Sequence, residues 1–289
     1  LSAAASFLIA LGIGVFVRAA ITAHNFLLAH RYGPEMDQYP LGAAGWFRLF
    51  RQEFAATMYS SSWSMLLHRR LEHRFDDSAA LPVLLVHGWG CNGGYWRGMS
   101  KAMSDARISH RAINLEPVLC AIDDYVPQLA KAVQDWAADT GSERIVIVAH
   151  SMGGLVSRAY LAQAGDSKVA HCITIGSPHH GTGLANHGIG LNCKQMRWQP
   201  GLGPSEWLTA LAARDTATRA GITSICSRHD NIVSPPSSSV LEGAQVVVFD
   251  AIGHVALALD ARVQQRVIAA VQAVPLQDYT RLSETAATN

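Results

Sequence analysis

The sequence predicts an α/β fold in which a mostly parallel, doubly wound sheet carries helices on both faces, with an extra helical segment at the N-terminus. From residue 78 onward, short apolar runs rich in valine and isoleucine alternate with helical stretches, which is typical of a parallel sheet. The chain has 289 residues, of which 49% are hydrophobic. This length and composition suffice for one large domain with a buried core, and they exclude a disordered or fibrous protein.

The charge balance excludes one class of partner. The chain carries 23 basic and 22 acidic residues, which gives a net charge of +1 at neutral pH. A domain that binds nucleic acid needs an excess of basic residues to neutralise the phosphate backbone. We therefore expect no nucleic acid among the partners.

The first 17 residues contain no charged side chain, and the apolar run ends at Arg18. A membrane-spanning helix needs about 20 apolar residues, whereas the core of a signal peptide needs about 7 to 15. No clear small-residue cleavage site follows the run. We interpret residues 1–31 as an N-terminal apolar helix that anchors the protein in a membrane. A signal sequence and a helix buried in the fold are the two alternatives.

Residues 32–77 are predicted to form an amphipathic helical extension. Trp46, Phe47, Phe50 and Phe54 recur at helical spacing with charged residues between them. Aromatic stripes most often face a protein core, which favours a helix packed on the domain. A helix lying in the membrane interface is the alternative, because aromatic and basic residues both suit that environment.

Six apolar segments are predicted to be strands of the sheet. They cover residues 81–87, 110–116, 143–150, 169–177, 222–227 and 245–250. Helical patterns lie between most of them, for example over residues 123–138 and 152–163. In sheets of this kind, functional residues collect in the loops at the carboxyl ends of the strands, and we expect the site there.

The segment AHSMGG (residues 149–154) lies where a predicted strand meets a predicted helix. A serine on such a sharp turn presents its hydroxyl above the sheet, and small neighbours let the backbone pass close by. The Met152 amide, at the helix N-terminus, would face a developing oxyanion. A serine that only caps the helix is the alternative, but the strand, the helix and the doubled glycine favour Ser151 as a nucleophile.

Two further segments also follow predicted strands: HGWG (residues 87–90) and SPHHGT (residues 177–182). With AHSMGG, they resemble the α/β-hydrolase superfamily, and within it the bacterial lipases and carboxylesterases. The resemblance covers residues 81–274, roughly two-thirds of the chain. Ala149 stands where most members have glycine, as in some small bacterial lipases, and alanine is small enough for the turn.

The resemblance implies an α/β-hydrolase fold with residues 78–289 as the catalytic domain, a second oxyanion donor at the Trp89 amide, and no cofactor. We expect His87, Gly88, His150 and His179 to contribute to the substrate-binding site. For His87, a structural role that braces the loop is the alternative.

A serine nucleophile needs a base, and the base needs a carboxylate that orients it. In this family the residues follow the order serine, acid, histidine. Asp230 and His254 each follow a predicted strand, at the same end of the sheet as Ser151, and we assign them as acid and base. The rivals are Asp250 as the acid and His229 as the base.

Residues 181–216 form a long excursion between two predicted strands and mix apolar residues, glycines and tryptophans. Long insertions here commonly form lids or caps that control substrate size and water access. We therefore predict a small lid or acyl-pocket wall over about residues 181–216, part of which is a packed helix.

His179, His180, His187 and Cys193 cluster within this part of the sequence. Their spacing matches no common zinc pattern, and we predict no metal site.

The chain contains five cysteines. Cys172 and Cys226 lie inside apolar strands, where a buried free thiol is the default. A bridge between Cys91 and Cys193 across the mouth of the pocket is the alternative to free thiols if the domain faces an oxidising compartment.

Together these features predict a carboxylic ester hydrolase, a triacylglycerol lipase or a carboxylesterase, that acts on a small-molecule or lipid ester through an acyl-enzyme. A polyester depolymerase, a thioesterase or an acyltransferase would use the same triad, and a membrane-bound scaffold without activity is the non-enzymatic alternative. A serine at the strand-to-helix turn argues against dehalogenases and epoxide hydrolases, which use aspartate as the nucleophile.

We expect a bacterial protein anchored to the membrane through its N-terminal helix; secreted and cytoplasmic locations are the alternatives.

Overall fold

The computed structural model describes residues 2–67, 70–164 and 168–276. The chain begins with the 30-residue helix α1 (Ala3–Tyr32), followed by a 3-10 turn (Pro34–Gln38), helix α2 (Ala43–Tyr59) and a π-helical turn (Ser60–Ser64). Among the described helices, α1 alone is long and apolar enough to cross a membrane. Parts of the predicted segments, namely residues 1, 68–69, 165–167 and 277–289, lie outside the described residues.

Seven strands form one sheet. In chain order, the strands of the described residues are β1 (Glu72–His73), β2 (Val83–Val86), β3 (His110–Ile113), β4 (Ile145–His150), β5 (Val169–Ile175), β6 (Trp198–Gln199), β7 (Gly203–Pro204), β8 (Ile222–Ser227) and β9 (Gln245–Phe249). The order across the sheet is β1-β3-β2-β4-β5-β8-β9, and β6 pairs with β7 in a separate hairpin. All neighbours in the large sheet are parallel except β1, which runs antiparallel to β3 at the edge.

All six predicted strands are present, so the predicted parallel sheet is confirmed. The strand at 222–227 has its predicted bounds, and others are shorter, such as β2 and β3. Strands β1, β6 and β7 are not predicted by the sequence, because a two-residue strand is too short to show an alternating pattern.

Helices cover both faces of the sheet, as the sequence predicts. Beyond α2 they are α3 (Arg97–Asp105), α4 (Val126–Thr140), α5 (Met152–Ala164), α6 (Leu191–Gln195), α7 (Glu206–Arg214) and α8 (Ala261–Gln272). Leu84 and Val86 of β2 belong to one core layer with α4 and α5. Val83 and Leu85 belong to the opposite layer with α3 and α8. Successive side chains of a strand point to opposite faces, and this alternation builds the two layers.

Helix α1 has two halves in different environments. Its first half is exposed even at large apolar side chains, such as Phe7 at 67% and Phe16 at 73%. Toward its C-terminus, Ala29 is fully buried, and its carbonyl accepts a hydrogen bond of 2.6 Å from the Ser234 hydroxyl. The second half of α1 is therefore an integral part of the packed domain.

Helix α2 also packs on the domain. Leu49, Glu53 and Ala56, spaced along one face, are buried. The Trp46 ring meets the Phe26 ring of α1 edge-on, with 6.1 Å between the ring centroids. These contacts favour the predicted packed helix over the interfacial alternative.

The structure has free thiols rather than the alternative bridge between Cys91 and Cys193. Cys91 and Cys193 are both free thiols, so the bridge between them is not formed. The two residues line different cavities, described below, which places them on separate walls of the site. The other three cysteines are free as well.

Candidate active site

Ser151 lies in the tight turn between β4 and α5. Its φ of 55° is in the left-handed region, which is unusual for a residue other than glycine. The Ser151 amide donates to the Ile175 carbonyl over 2.9 Å, and the Ser151 carbonyl accepts from the Gly154 amide over 3.0 Å. The turn is therefore held from both sides, and strain maintained in this way is characteristic of functional positions.

The turn needs glycine at position 153. A Cβ added to Gly153 would lie 2.6 Å from the carbonyl oxygens of Val86 and His87. Both obstacles are backbone atoms of β2 and its loop, which cannot rotate away. The AHSMGG segment therefore brings the Ser151 backbone against the loop that carries the HGWG motif.

Asp230 and His254 are in direct contact. The Nδ1 atom of His254 donates to Oδ2 of Asp230 over 2.8 Å, and both side chains are buried. The other carboxylate oxygen of Asp230 accepts from the amides of Ile232 and Val233, each over 2.8 Å. Because Nδ1 carries the proton, Nε2 of His254 is the nitrogen that can accept a proton from a serine.

Three effects act on the pKa of His254. Burial disfavours the charged imidazolium and lowers the pKa, but the Asp230 carboxylate raises it through its charge and its hydrogen bond, and Glu53 adds to this. The net result is a pKa above the ordinary value for histidine. The surroundings of His254 thus favour the cation that forms when it acts as a base.

The alternative acid Asp250 and the alternative base His229 each have other partners. Asp250 is about half exposed and pairs with Arg228 over 2.9 Å. Nε2 of His229 donates to the Tyr39 carbonyl over 2.9 Å, and Nδ1 accepts from the Ala251 amide over 3.2 Å. Both nitrogens of His229 are therefore occupied by backbone groups, and this histidine joins the N-terminal extension to the domain.

His150 packs against the proposed base. Its ring lies 4.6 Å from the His254 ring, measured between centroids, and 4.6 Å from the Tyr95 ring. Its Nε2 donates to the His254 carbonyl over 3.1 Å. Burial, reinforced by the charge of His254, holds the pKa of His150 well below the ordinary value. A neutral His150 supports His254 without adding a second positive charge.

The residues of the two predicted oxyanion donors lie near Ser151: Met152 follows it in the chain, and Trp89 lines the same cavities. Met152 is the first residue of α5, so its amide has no acceptor within the helix. Trp89 lines both cavities that reach Ser151 and is 39% exposed. Gly88, one residue earlier, lies beside Ser151 and lines the second of these cavities.

Two predicted substrate-binding residues lie away from the cavities. His87 accepts a 3.0 Å hydrogen bond from the Leu115 amide, and it braces the loop after β2. His179 is fully buried, where it bonds to Thr174 over 3.0 Å and meets Arg158 at 3.4 Å. Neither side chain lines the two cavities at Ser151. These contacts favour a structural role for both histidines, and their contribution to substrate binding stays a prediction.

An apolar cavity of about 360 Å³ opens on one side of Ser151. Much of its wall comes from the predicted lid region and from α1. The apolar lining includes Leu28, Leu184, Ala185, Met196 and Val233. Part of the 181–216 segment thus lines this cavity, and its role as an acyl-pocket wall stays a prediction. Within the described residues, no group of three or more potential metal ligands converges in this region or elsewhere.

A second cavity, of about 370 Å³, lies on the His254 side of Ser151. Much of its wall comes from the N-terminal extension, through Arg18, Ile21 and Asn25 of α1 and Glu53 and Thr57 of α2. This contribution could not be predicted from the sequence, because these residues lie more than 90 positions from Ser151. One feature of the sequence indicates that α2 contacts the site. Glu53 lies on the otherwise apolar face that contains Leu49 and Ala56, and a carboxylate on a packed face needs a specific partner.

Residues 82–194 match a family model described as the alpha/beta hydrolase fold. A triacylglycerol lipase from Pseudomonas fragi is 29% identical over 121 residues, which are 38% of this chain and 40% of that protein. A triacylglycerol lipase from Pseudarthrobacter phenanthrenivorans is 32% identical over 116 residues, which are 36% of this chain and 35% of that protein. The aligned part is thus well under half the length of these curated relatives.

Among solved structures, the mature form of the Bacillus licheniformis lipase BlEst2 superposes with a TM-score of 0.59 at 16% sequence identity. The superposition covers 70% of this chain and 95% of that one. At this identity the likeness concerns the fold, and it agrees with the family match and with the strand order. The chain therefore has an α/β-hydrolase fold.

Proposed function

We propose that the protein is a serine hydrolase that cleaves carboxylic esters. The observation that carries this proposal is the pairing of His254 with Asp230 in a cavity that also contains Ser151, held at a strained turn. Similarity to triacylglycerol lipases supports the same chemistry, and the match to the alpha/beta hydrolase fold covers residues 82–194, which include this turn.

In the proposed reaction, Ser151 Oγ attacks the ester carbonyl carbon while Nε2 of His254 takes the serine proton. The amides of Trp89 and Met152 stabilise the negative oxygen of the tetrahedral intermediate. His254 then gives its proton to the leaving alcohol, and the acyl group stays on Ser151. A water molecule, deprotonated by His254, releases the carboxylic acid and restores the serine.

We assign one cavity to the acyl part of the ester and the other to its alcohol part, because His254 lines only one of them. The leaving oxygen must receive its proton from His254, and only the second cavity is lined by that residue. The alcohol therefore occupies the second cavity, and the acyl group occupies the apolar one. We propose a lipase or carboxylesterase on this basis.

The first test is Ser151→Ala, measured with p-nitrophenyl esters. Loss of the nucleophile should lower kcat by about 10⁴-fold or more, while the thermal unfolding curve stays unchanged. A fluorophosphonate probe should label the wild-type protein and leave the variant unlabelled. Retention of most of the activity in the variant would refute the assignment.

The substrate range is tested by a chain-length series of p-nitrophenyl esters from acetate to palmitate, with and without an emulsified interface. Preference for long chains with a jump in rate at the interface identifies a lipase. Preference for short soluble esters identifies a carboxylesterase.

We also propose that α1 attaches the enzyme to a membrane. The first half of α1 is apolar on all sides and exposed, and a helix of this kind is stable in a bilayer or in a large core. No described part of the chain covers it. Because the second half lines both cavities at Ser151, attachment would hold the site close to the lipid that supplies ester substrates.

A further inference from the structure

The carboxylate of Glu53 is buried directly behind the loop that carries His254. Glu53 belongs to α2 and is 1% exposed. Its Oε1 accepts from the Val255 amide over 3.0 Å, and its Oε2 accepts from the Ala256 amide over 2.9 Å. A buried carboxylate is costly unless both oxygens are satisfied, and here both contact the two residues that follow His254.

The loop after β9 depends on these bonds. The chain turns helically from Gly253 onward, since the Leu257 amide donates to the Gly253 carbonyl and the Asp260 amide donates to the Ala256 carbonyl. The amides at the start of such a turn have no partner within it. Glu53 supplies their acceptors from a helix about 200 residues earlier in the chain.

The residue before His254 leaves room for this contact. A Cβ on Gly253 would lie 2.5 Å from Oε2 of Glu53. The neighbouring Gln52 also reaches the end of the same loop, where its Nε2 donates to Oδ2 of Asp260 over 3.0 Å. Helix α2 therefore holds the His254 loop at both ends.

The position of Glu53 has an electrostatic consequence. Burial raises the pKa of Glu53 and the charge of Asp230 adds to this effect, whereas the two amide bonds and the charge of His254 lower it; the net result is a pKa above the ordinary value for glutamate. When His254 becomes positive during the reaction, a carboxylate behind its loop stabilises that charge together with Asp230. The other titratable groups around this pair are Cys91, Tyr95, His150 and, in the wall of the same cavity, Arg18.

We propose that Glu53 is a positioning residue for the base: its carboxylate fixes the backbone that follows His254 and favours the imidazolium formed as Ser151 loses its proton. This inference rests on the proposed ester hydrolysis and assigns part of its machinery to the N-terminal extension, outside the hydrolase fold.

The test compares Glu53→Gln, Glu53→Asp and the wild type with a soluble p-nitrophenyl ester, and counts active molecules by fluorophosphonate titration so that kcat refers to folded enzyme. Glu53→Gln keeps the shape, removes the charge and offers an amide nitrogen where an acceptor is needed. We expect kcat to fall about tenfold or more with KM little changed.

The pH profile separates positioning from a merely structural role. Activity requires neutral His254, so the acid limb of kcat/KM follows the pKa of His254. Loss of the Glu53 charge lowers that pKa, and the limb of Glu53→Gln should move to lower pH. Glu53→Asp keeps the charge but retracts it by one methylene group, and it should lower kcat while leaving the limb near its wild-type position.

Arg51→Gln, which removes an exposed charge from the same helix, serves as the control and should match the wild type. A kcat for Glu53→Gln within about twofold of the wild type, or identical acid limbs in all variants, would overturn the inference. A wild-type enzyme that neither hydrolyses esters nor reacts with the probe would instead overturn the proposed function.

Discussion

Ser151 illustrates how a single backbone conformation governs the site. A left-handed φ costs a non-glycine residue about 1 kcal/mol or more, and the turn is held by hydrogen bonds to β5 and to α5. The same turn presses Gly153 against the β2 backbone. The backbone conformation of Ser151 therefore depends on the packing of the central strands.

This packing predicts the effect of Gly153→Ala. In an open helical position, alanine would stabilise the protein by up to about 1 kcal/mol. At Gly153 the new methyl group would meet two carbonyl oxygens at 2.6 Å, and we expect a loss of about 1–3 kcal/mol in the free energy of unfolding, together with most of the esterase activity. Urea denaturation and an ester assay measure both.

Gly221→Ala provides the comparison for this variant, because nothing lies within 4 Å of its Cβ position. It should leave stability and activity close to the wild type. If Gly153→Ala proved as stable and active as Gly221→Ala, the close approach between the turn and β2 would be contradicted.

At the scale of residues, motifs and chain order predict Asp230 and His254 but not Glu53. Asp230 and His254 each follow a strand, and their position together with the family's chain order predicts the pair; their side chains are 2.8 Å apart. Glu53 has no motif, and only the fold brings it to the His254 loop. The motif around His179 predicts a substrate contact, whereas the structure shows its ring hydrogen-bonded to Thr174 in the core.

Among the elements, α5 and α7 are joined by a buried ionic cluster. Asp215, at the C-terminal end of α7, is fully buried, and its two carboxylate oxygens bind Arg158 of α5 over 2.6 Å and Arg219 over 2.7 Å. Burial lowers the pKa of the Arg158 guanidinium, and Asp215 opposes that effect. This cluster connects α7, the last helix of the predicted lid region, to α5, the helix that begins directly after Ser151.

Asp215→Asn should therefore destabilise the fold strongly. Removal of one partner leaves two arginine charges without compensation in the interior, which typically costs about 3–5 kcal/mol. Urea unfolding should show a large fall in the midpoint. Asp105→Asn removes an exposed partner of Lys101, and it should have little effect because surface pairs contribute little. Equal midpoints for the two variants would contradict the importance of the buried cluster.

The elements that could be predicted are those with long, uniform patterns. Strand β4 is buried at every position, and its continuous apolar run made it recognisable. The hairpin of β6 and β7 has two residues in each strand, which is below the length at which alternation appears. Helix α1 was recognised as apolar, but its second half is anchored through contacts such as Ala29 with Ser234, and these depend on distant parts of the chain.

For the whole molecule, the N-terminal extension and the hydrolase fold share one site. Residues 3–17 of α1 are exposed and apolar, whereas positions from Arg18 to Leu28 line the cavities at Ser151. Tyr32 contacts His187 in the lid region over 3.0 Å. One continuous helix thus joins the proposed membrane segment to the substrate-binding walls.

Two truncations separate these roles. Deletion of residues 1–17 removes only the exposed half of α1. The protein should then no longer sediment with membranes or float with phosphatidylcholine vesicles, while kcat/KM for a soluble ester stays within about threefold.

Deletion of residues 1–31 also removes the α1 residues that line the cavities and the contact of Ala29 with Ser234. We therefore expect kcat/KM to fall about tenfold or more and the midpoint of unfolding to drop. Full-length protein that is soluble without detergent and fails to float would contradict the membrane anchor and leave the triad unaffected. Equal activity of the two truncated proteins would instead contradict the role of α1 in the substrate-binding walls.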